Sequence, residues 1–224
     1  MRFVKLLFLL GVTAIYGCST TGGTIGGLIP APKLMKGKVE NSIYYAMDGS
    51  FEIKTPFEQG SYSYKYMEVK EQYANVGAYV SFNTSVHPNE FYRVEIGKKL
   101  DKSQPSPTLD QLVNGLLQGY KQQLSGYGSK AKELQRIETR LDGKRAMLVT
   151  LEQAMPAQSS YQGRSPSYTV HHIIYIVESP NGGGGSVWVQ WPHGCNTCAS
   201  GKEADVISTS TRIKSFFKSF RLKI

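Results

Sequence analysis

The stretch Glu133-Leu134-Gln135-Arg136-Ile137-Glu138-Thr139-Arg140-Leu141-Asp142-Gly143-Lys144-Arg145-Ala146-Met147-Leu148-Val149-Thr150-Leu151-Glu152 decides the fold. Asp142-Gly143 suits a two-residue hairpin turn, whose central residues take positive φ. The runs on either side, Glu133 to Leu141 and Lys144 to Glu152, read as two strands of one antiparallel pair. Downstream, Tyr168 to Val177 reads as a strong strand and Val187 to Trp191 as another. The Pro-, Ser- and Gly-bearing segment 156–167 reads as a loop, and so does 181–186, whose four consecutive glycines predict mobility. The second half of the chain is therefore an antiparallel meander.

Working toward the N-terminus, a helix precedes the meander. Pro107 leads into Thr108 as its cap, with Gln111 three residues on in capping-box position. Leu109, Leu112, Val113, Leu116, Leu117, Tyr120 and Leu124 recur on one helical face. Gly115 and Gly119 lie inside this helix at a cost of about 1 kcal/mol each relative to Ala, and close approach to a sheet is the benefit expected of them. Before the helix the chain is β-rich. Ile43 to Tyr45 and Phe51 to Ile53 flank the turn signal Asp48-Gly49. Tyr62, Tyr64 and Tyr66 alternate with polar residues at strand period, and Val76 to Val86 and Phe91 to Ile96 are further strands. At the far end, Ser200 and Glu203 form a second capping-box pattern. Val206, Ile207, Ser210, Ile213, Phe217 and Phe220 follow on a helical face. Two sheet-forming runs, one helix between them and one at the end, predict an α+β domain.

This order resembles the PsbP-like fold, an α-β-α sandwich of antiparallel sheet with flanking helices. The features that carry the resemblance are the hairpin Tyr44 to Pro56, the helix from Thr108, the meander, and the closing helix ending Phe216-Phe217-Lys218-Ser219-Phe220. The resemblance implies a binding or assembly module without a shared active site, and aligns no functional residue.

The N-terminus carries a second resemblance. Arg2 and Lys5 precede an apolar run, Leu6 to Tyr16, of about 11 residues, the pattern of a secretory signal. That run is too short to span a bilayer, which takes about 20 residues. Ile15-Tyr16-Gly17-Cys18-Ser19 is similar to the lipobox of bacterial lipoproteins, whose signal is cut before the Cys that then carries the lipid. The resemblance implies that residues 1–17 are removed and Cys18 is acylated, palmitate included. Ser19, being other than Asp, implies the outer membrane, with the domain facing the periplasm. A processed lipoprotein carries three acyl chains, and two or more suffice for stable anchoring. An ordinary secretory signal with an incidental Cys is the alternative. Residues 18–38, rich in Gly and with Pro30 and Pro32, read as a flexible tether with a reach of about 25 Å. Residues 39–224 then form the single domain.

The chain has 26 Lys and Arg against 17 Asp and Glu, a formal charge of +9, which loss of Arg2 and Lys5 lowers by two. That balance suits an anionic envelope polymer or lipid, or simply a solvated surface. Arg212, Lys214, Lys218 and Arg221 gather on the closing helix. They read as an anionic-surface contact, or as cations placed to suit the helix dipole, worth about 0.3–1 kcal/mol each. No nucleic-acid motif is present, and no nucleic-acid partner is expected.

Chemistry-bearing residues are few. Cys195 and Cys198 follow His193 in Trp191-Pro192-His193-Gly194-Cys195-Asn196-Thr197-Cys198. Three readings compete. An exported protein with an even pair of Cys is expected to oxidise it, closing a short loop worth roughly 2 kcal/mol. A redox pair before a helix is the second. The third is a metal site of His193, Cys195 and Cys198, one ligand short of a structural zinc site. His171 and His172 are adjacent on a strand and face opposite ways, so one is expected to be buried and hydrogen-bonded and the other exposed. The glycine run lacks the ending of a phosphate loop, no nucleophile elbow or HExxH occurs, and no cofactor is implied. The expectation is a non-catalytic, lipid-anchored envelope protein that binds a partner protein, with a CxxC redox or metal protein as the alternative.

Overall fold

The computed structural model describes residues 37–57, 67–71, 77–83, 90–98, 103, 105–126, 130–160, 163–165, 167–180, 182–193 and 203–223. All of them belong to the unit Leu34–Ile224. Its centre is a seven-stranded sheet built of β4 (Glu68–Glu71), β5 (Ala78–Asn83), β6 (Phe91–Ile96), β7 (Lys132–Leu141), β8 (Lys144–Met155), β11 (Tyr168–Val177) and β12 (Gly185–His193). The strand order is β4-β5-β6-β12-β11-β8-β7, antiparallel throughout. The hairpin read from Asp142-Gly143 is there: Leu141 pairs with Lys144, and the two turn residues have φ of 49° and 71°.

A smaller antiparallel sheet is made of β1 (Lys38–Glu40), β2 (Ile43–Tyr45), β3 (Phe51–Lys54) and β13 (Arg221–Leu222). Asn41 and Ser42 turn β1 into β2 with φ of 50° and 60°, the conformation a two-residue hairpin demands. Asp142 ties the two sheets together, since its Oδ2 accepts from the Leu222 backbone N–H at 2.8 Å.

Helix α1 (Leu109–Ser125) starts where its cap predicts. Thr108 Oγ1 accepts from the Gln111 N–H and Gln111 Oε1 accepts from the Thr108 N–H. Leu109, Val113, Leu117, Tyr120 and Leu124 are buried from it, against Met147, Val149, Leu151, Ile174, Ile176 and Trp188 of the sheet. Full burial of such a side chain is worth about 1.5–3 kcal/mol, so this stripe holds the helix down. Gln153 fixes its end, donating from Nε2 to the Leu124 carbonyl at 2.8 Å. The other face of the sheet meets helix α2 (Glu203–Ser219) and the small sheet. Phe216, Phe217 and Phe220 pack there with Tyr44, Phe51, Phe82 and Tyr92. The domain is thus α+β, with a helix on one face of an antiparallel sheet and a helix with a second sheet on the other.

Four expectations differ from what is found. Segment 156–167 contains a short hairpin, β9 (Gln158–Ser160) paired with β10 (Gly163–Ser165). The glycine run packs closely instead of looping free. Gly97 N–H donates to the Gly184 carbonyl at 3.0 Å, and a Cβ on Gly183 or Gly97 would collide with the facing backbone. Gly115 and Gly119 do not approach the sheet; both are exposed, with nothing within 4 Å of an added Cβ. Ser210, read onto the buried face of the closing helix, is exposed. The Tyr62 to Tyr66 strand and Ser200 lie outside the described residues.

Candidate binding site

Strand β6 has two unlike faces. Tyr92, Val94 and Ile96 point into the α2-side core, which leaves Phe91, Arg93 and Glu95 on the α1 side. Arg93 lies opposite Trp188 of β12 and Ser81 of β5, and Glu95 opposite Ser186 and Tyr79. Cross-strand neighbours of this kind stand about 5 Å apart at Cβ, so the register alone gathers these side chains. Tyr120 of α1 closes over them, its hydroxyl 2.6 Å from Ser186 Oγ and donating to Glu95 Oε2 at 3.4 Å.

The outcome is an arginine boxed by rings. The Arg93 guanidinium carbon lies 4.9 Å from the Tyr79 ring centroid, 5.1 Å from Trp188, 5.6 Å from Phe91 and 5.9 Å from Tyr120. Each such contact is worth about 0.5–2 kcal/mol. The residue is only 8% exposed, and its Nε and Nη1 are buried without a hydrogen-bond partner. Leaving a buried donor unpaired costs about 1–3 kcal/mol, and more when it is charged. The rings cover the faces of the cation but cannot satisfy its in-plane N–H groups. Burial, then the charge of Glu95, push the Tyr120 hydroxyl pKa above its ordinary value, so that hydroxyl stays protonated.

His172 adjoins this box. It is fully buried, and its Nδ1 accepts from Trp188 Nε1 at 3.3 Å. Acceptance at Nδ1 assigns the ring proton to Nε2, which is buried and has no partner. Burial, followed by the charge of neighbouring His171, lowers the His172 pKa to about 4. The expectation of a buried, bonded histidine is met by His172. His171 is half-buried instead of exposed, with Nε2 3.3 Å from Glu152 Oε2.

The basic residues of the last helix are split. Lys214 and Lys218 are exposed. Arg212 faces inward, giving Nη2 to Glu90 Oε1 at 2.7 Å and Nε to Oε2 at 3.3 Å. Burial opposes its charge, yet the hydrogen bonds and attraction of Glu90 hold its pKa above the ordinary value. Glu90 is the reason: its side chain is 1% exposed, and a buried carboxylate needs a counter-charge. Arg221 donates Nη1 to the Lys218 and Phe220 carbonyls and lies 3.7 Å from Asp142. Lys214, Lys218 and Arg221 are thus exposed, and Arg212 is the one of the four that turns inward.

Cys18, Cys195 and Cys198, and the His193 side chain, lie outside the described residues. Among the described residues no group of three or more potential metal ligands occurs, and no helix is long and apolar enough to cross a membrane.

No motif or spacing in the sequence groups Arg93 with Tyr79, Tyr120 and Trp188. Phe91-Tyr92-Arg93-Val94-Glu95-Ile96 alternates in a way that assigns Arg93 to a solvated face. The available signal was the aromatic residue on the polar face of three strands, Tyr79, Phe91 and Trp188.

No family model and no curated protein matches this chain. Solved structures similar to it include the cyanobacterial PsbP, CyanoP, of Synechocystis sp. PCC 6803. That match is 12% identical, covers 89% of this chain and 98% of that one, and has a TM-score of 0.49. The Ran-binding protein Mog1p of Saccharomyces cerevisiae is also 12% identical, over 83% of this chain and 96% of its own, with a TM-score of 0.41. At these scores the likenesses assign no function, and the functional reading rests on the site itself.

Proposed function

We propose that this chain is a lipid-anchored protein of the bacterial envelope whose α+β domain is a non-catalytic binding module. The observation that carries the binding half is Arg93, a nearly buried cation with two unpaired N–H-bearing nitrogens inside an aromatic box. Both nitrogens are closed off as the box stands, so an acceptor relieves that cost once a partly exposed ring moves aside, and the occupied site is then the more favourable one. The surroundings supply recognition and little reactivity. Ser186 is bonded to Tyr120, and His172 is bonded to Trp188.

The anchoring half is supported by the lipobox-like run around Cys18 and by the Gly-rich stretch after it. Labelling with tagged palmitate and membrane fractionation test it. Wild type is expected to take up label and to sediment with membranes, and Cys18→Ala to do neither. Equal labelling of the variant would remove the anchor from the proposal. For the binding half, a photo-crosslinking residue in place of Tyr79 in intact cells is expected to give an adduct that disappears with Arg93→Met. An adduct that persists in the variant would show that Arg93 is not the recognition point.

A further inference from the structure

We infer that the Arg93 site takes a monoanionic carboxylate borne next to an aromatic ring, an inference that rests on the binding reading above and names its ligand. The charge of the site sets the ligand's charge. One guanidinium is available, and Glu95 stands two residues along the same strand face, about 7 Å away at Cα. Among the described residues no Lys or second Arg makes an ion pair with Glu95 or a ring contact in the box. A phosphate dianion and a carboxylate both meet one cation and the nearby Glu95, but the monoanion pairs with Arg93 while suffering about half the repulsion from Glu95. Carboxylate also fits a planar guanidinium as a matching acceptor.

The lining sets the ligand's body. Tyr79 and Phe91, the two rings from β5 and β6, are only partly buried, so each keeps surface for a further ring. Offset or edge-to-face packing against them adds about 0.5–1.5 kcal/mol per ring pair. Tyr120 and Trp188 are already committed to each other, their centroids 4.7 Å apart, and form the back wall. Such a group can arrive as a free acid or as the last residue of a peptide, and the shared chemistry is the carboxylate beside the ring.

The test uses the folded protein and four small probes: phenylacetate, phenylacetamide, acetate and inorganic phosphate. Binding is read by calorimetry and by Trp188 fluorescence in a Trp191→Phe background. Phenylacetate is expected to bind at least about tenfold more tightly than phenylacetamide, which lacks the charge, the ratio a charge-assisted hydrogen bond supplies. It is also expected to outbind acetate, which lacks the ring, and phosphate. Arg93→Lys is expected to lose about tenfold, and Arg93→Met all measurable binding, with circular dichroism unchanged. Should Arg93→Met misfold, Tyr79→Ala serves instead, and is expected to weaken phenylacetate and leave acetate as it was. A tripeptide ending in phenylalanine, free or amide-capped at its C-terminus, separates the two sources. Tighter binding of the free peptide than of phenylacetate assigns a protein terminus, and the reverse assigns a small acid. Equal binding of phenylacetate and its amide, or no binding of either at millimolar concentration, overturns the ligand class. Preference for phosphate overturns it too, yet leaves the binding module standing. Loss of the binding module itself is read separately, from the Tyr79 crosslink that ignores Arg93→Met.

Discussion

Two arginines drawn away from solvent, Arg93 buried and Arg212 half-buried, lie on opposite sides of the seven-stranded sheet and are treated in opposite ways. Arg212, on the α2 side, meets a carboxylate through two hydrogen bonds, and Tyr92 donates its hydroxyl to the same Glu90 at 2.9 Å. Arg93, on the α1 side, meets four rings and, among the described residues, makes no ion pair. A charge removed from water is stabilised chiefly by a counter-charge and well-placed hydrogen bonds. Arg212 has both and reads as part of the fold. Among the described residues Arg93 has no ion pair and no hydrogen bond at Nε or Nη1, so an acceptor from outside is favoured there. The difference teaches where to look for a binding site when no motif marks one: at the buried charge that the fold leaves unpaired.

The largest expected effect breaks this contrast at its structural end. Arg212→Met strands Glu90 without its counter-charge and is expected to destabilise the domain by about 3–5 kcal/mol. Arg93→Met gives up the cation's ring contacts together with its unsatisfied buried donors, two effects of opposite sign, and is expected to change stability by less than about 1 kcal/mol. Urea denaturation midpoints of the two variants check both. Equal costs would mean that Arg93 has a structural partner and that the contrast is false.

A somewhat smaller effect belongs to His172, on the same side as Arg93. Its pKa falls from an ordinary 6.5 to about 4 in the fold. Between those values the unfolded chain binds the proton that the native ring refuses. The stabilisation is therefore complete above pH 6.5 and is lost as pH falls toward 4, to a total of about 3 kcal/mol. His172→Gln, which can still accept from Trp188, is expected to flatten stability across that window. A wild-type slope retained by the variant would place the titration elsewhere.

How legible this was depended on how many residues carried each signal. The meander hairpin, helix α1 and the Phe216, Phe217 and Phe220 face were readable, because turn chemistry, caps and periodicity each extend over several residues. Strands β1 and β13, three and two residues long, are too short to show any period. By charge Arg212 reads as a surface cation, although its four-residue spacing to Phe216 and Phe220 puts it on the buried stripe. Only the partner, Glu90, explains a charge there, and it lies 122 residues away. The Arg93 box was illegible for the same reason. Its rings come from β5, β6, α1 and β12, and the pairing register together with the packing of α1 brings them together.

The smallest effect sharpens the contrast by asking whether helix α1 is a fixed wall of the box. Gly115 and Gly119 sit mid-helix on its exposed side, with open space where a Cβ would stand. Alanine at either position removes conformational freedom from the unfolded chain and meets nothing in the folded one. Each substitution is expected to stabilise by about 0.5–1 kcal/mol. The gain should appear in thermal melts and should leave phenylacetate binding unchanged, because Tyr120 is held from its buried side by Ser186 and Trp188. If Gly119→Ala stabilises the fold and weakens binding, α1 has to bend to admit the ligand, and Tyr120 is a door rather than a wall. If it destabilises, the exposed side of α1 carries a contact that its open surroundings do not explain.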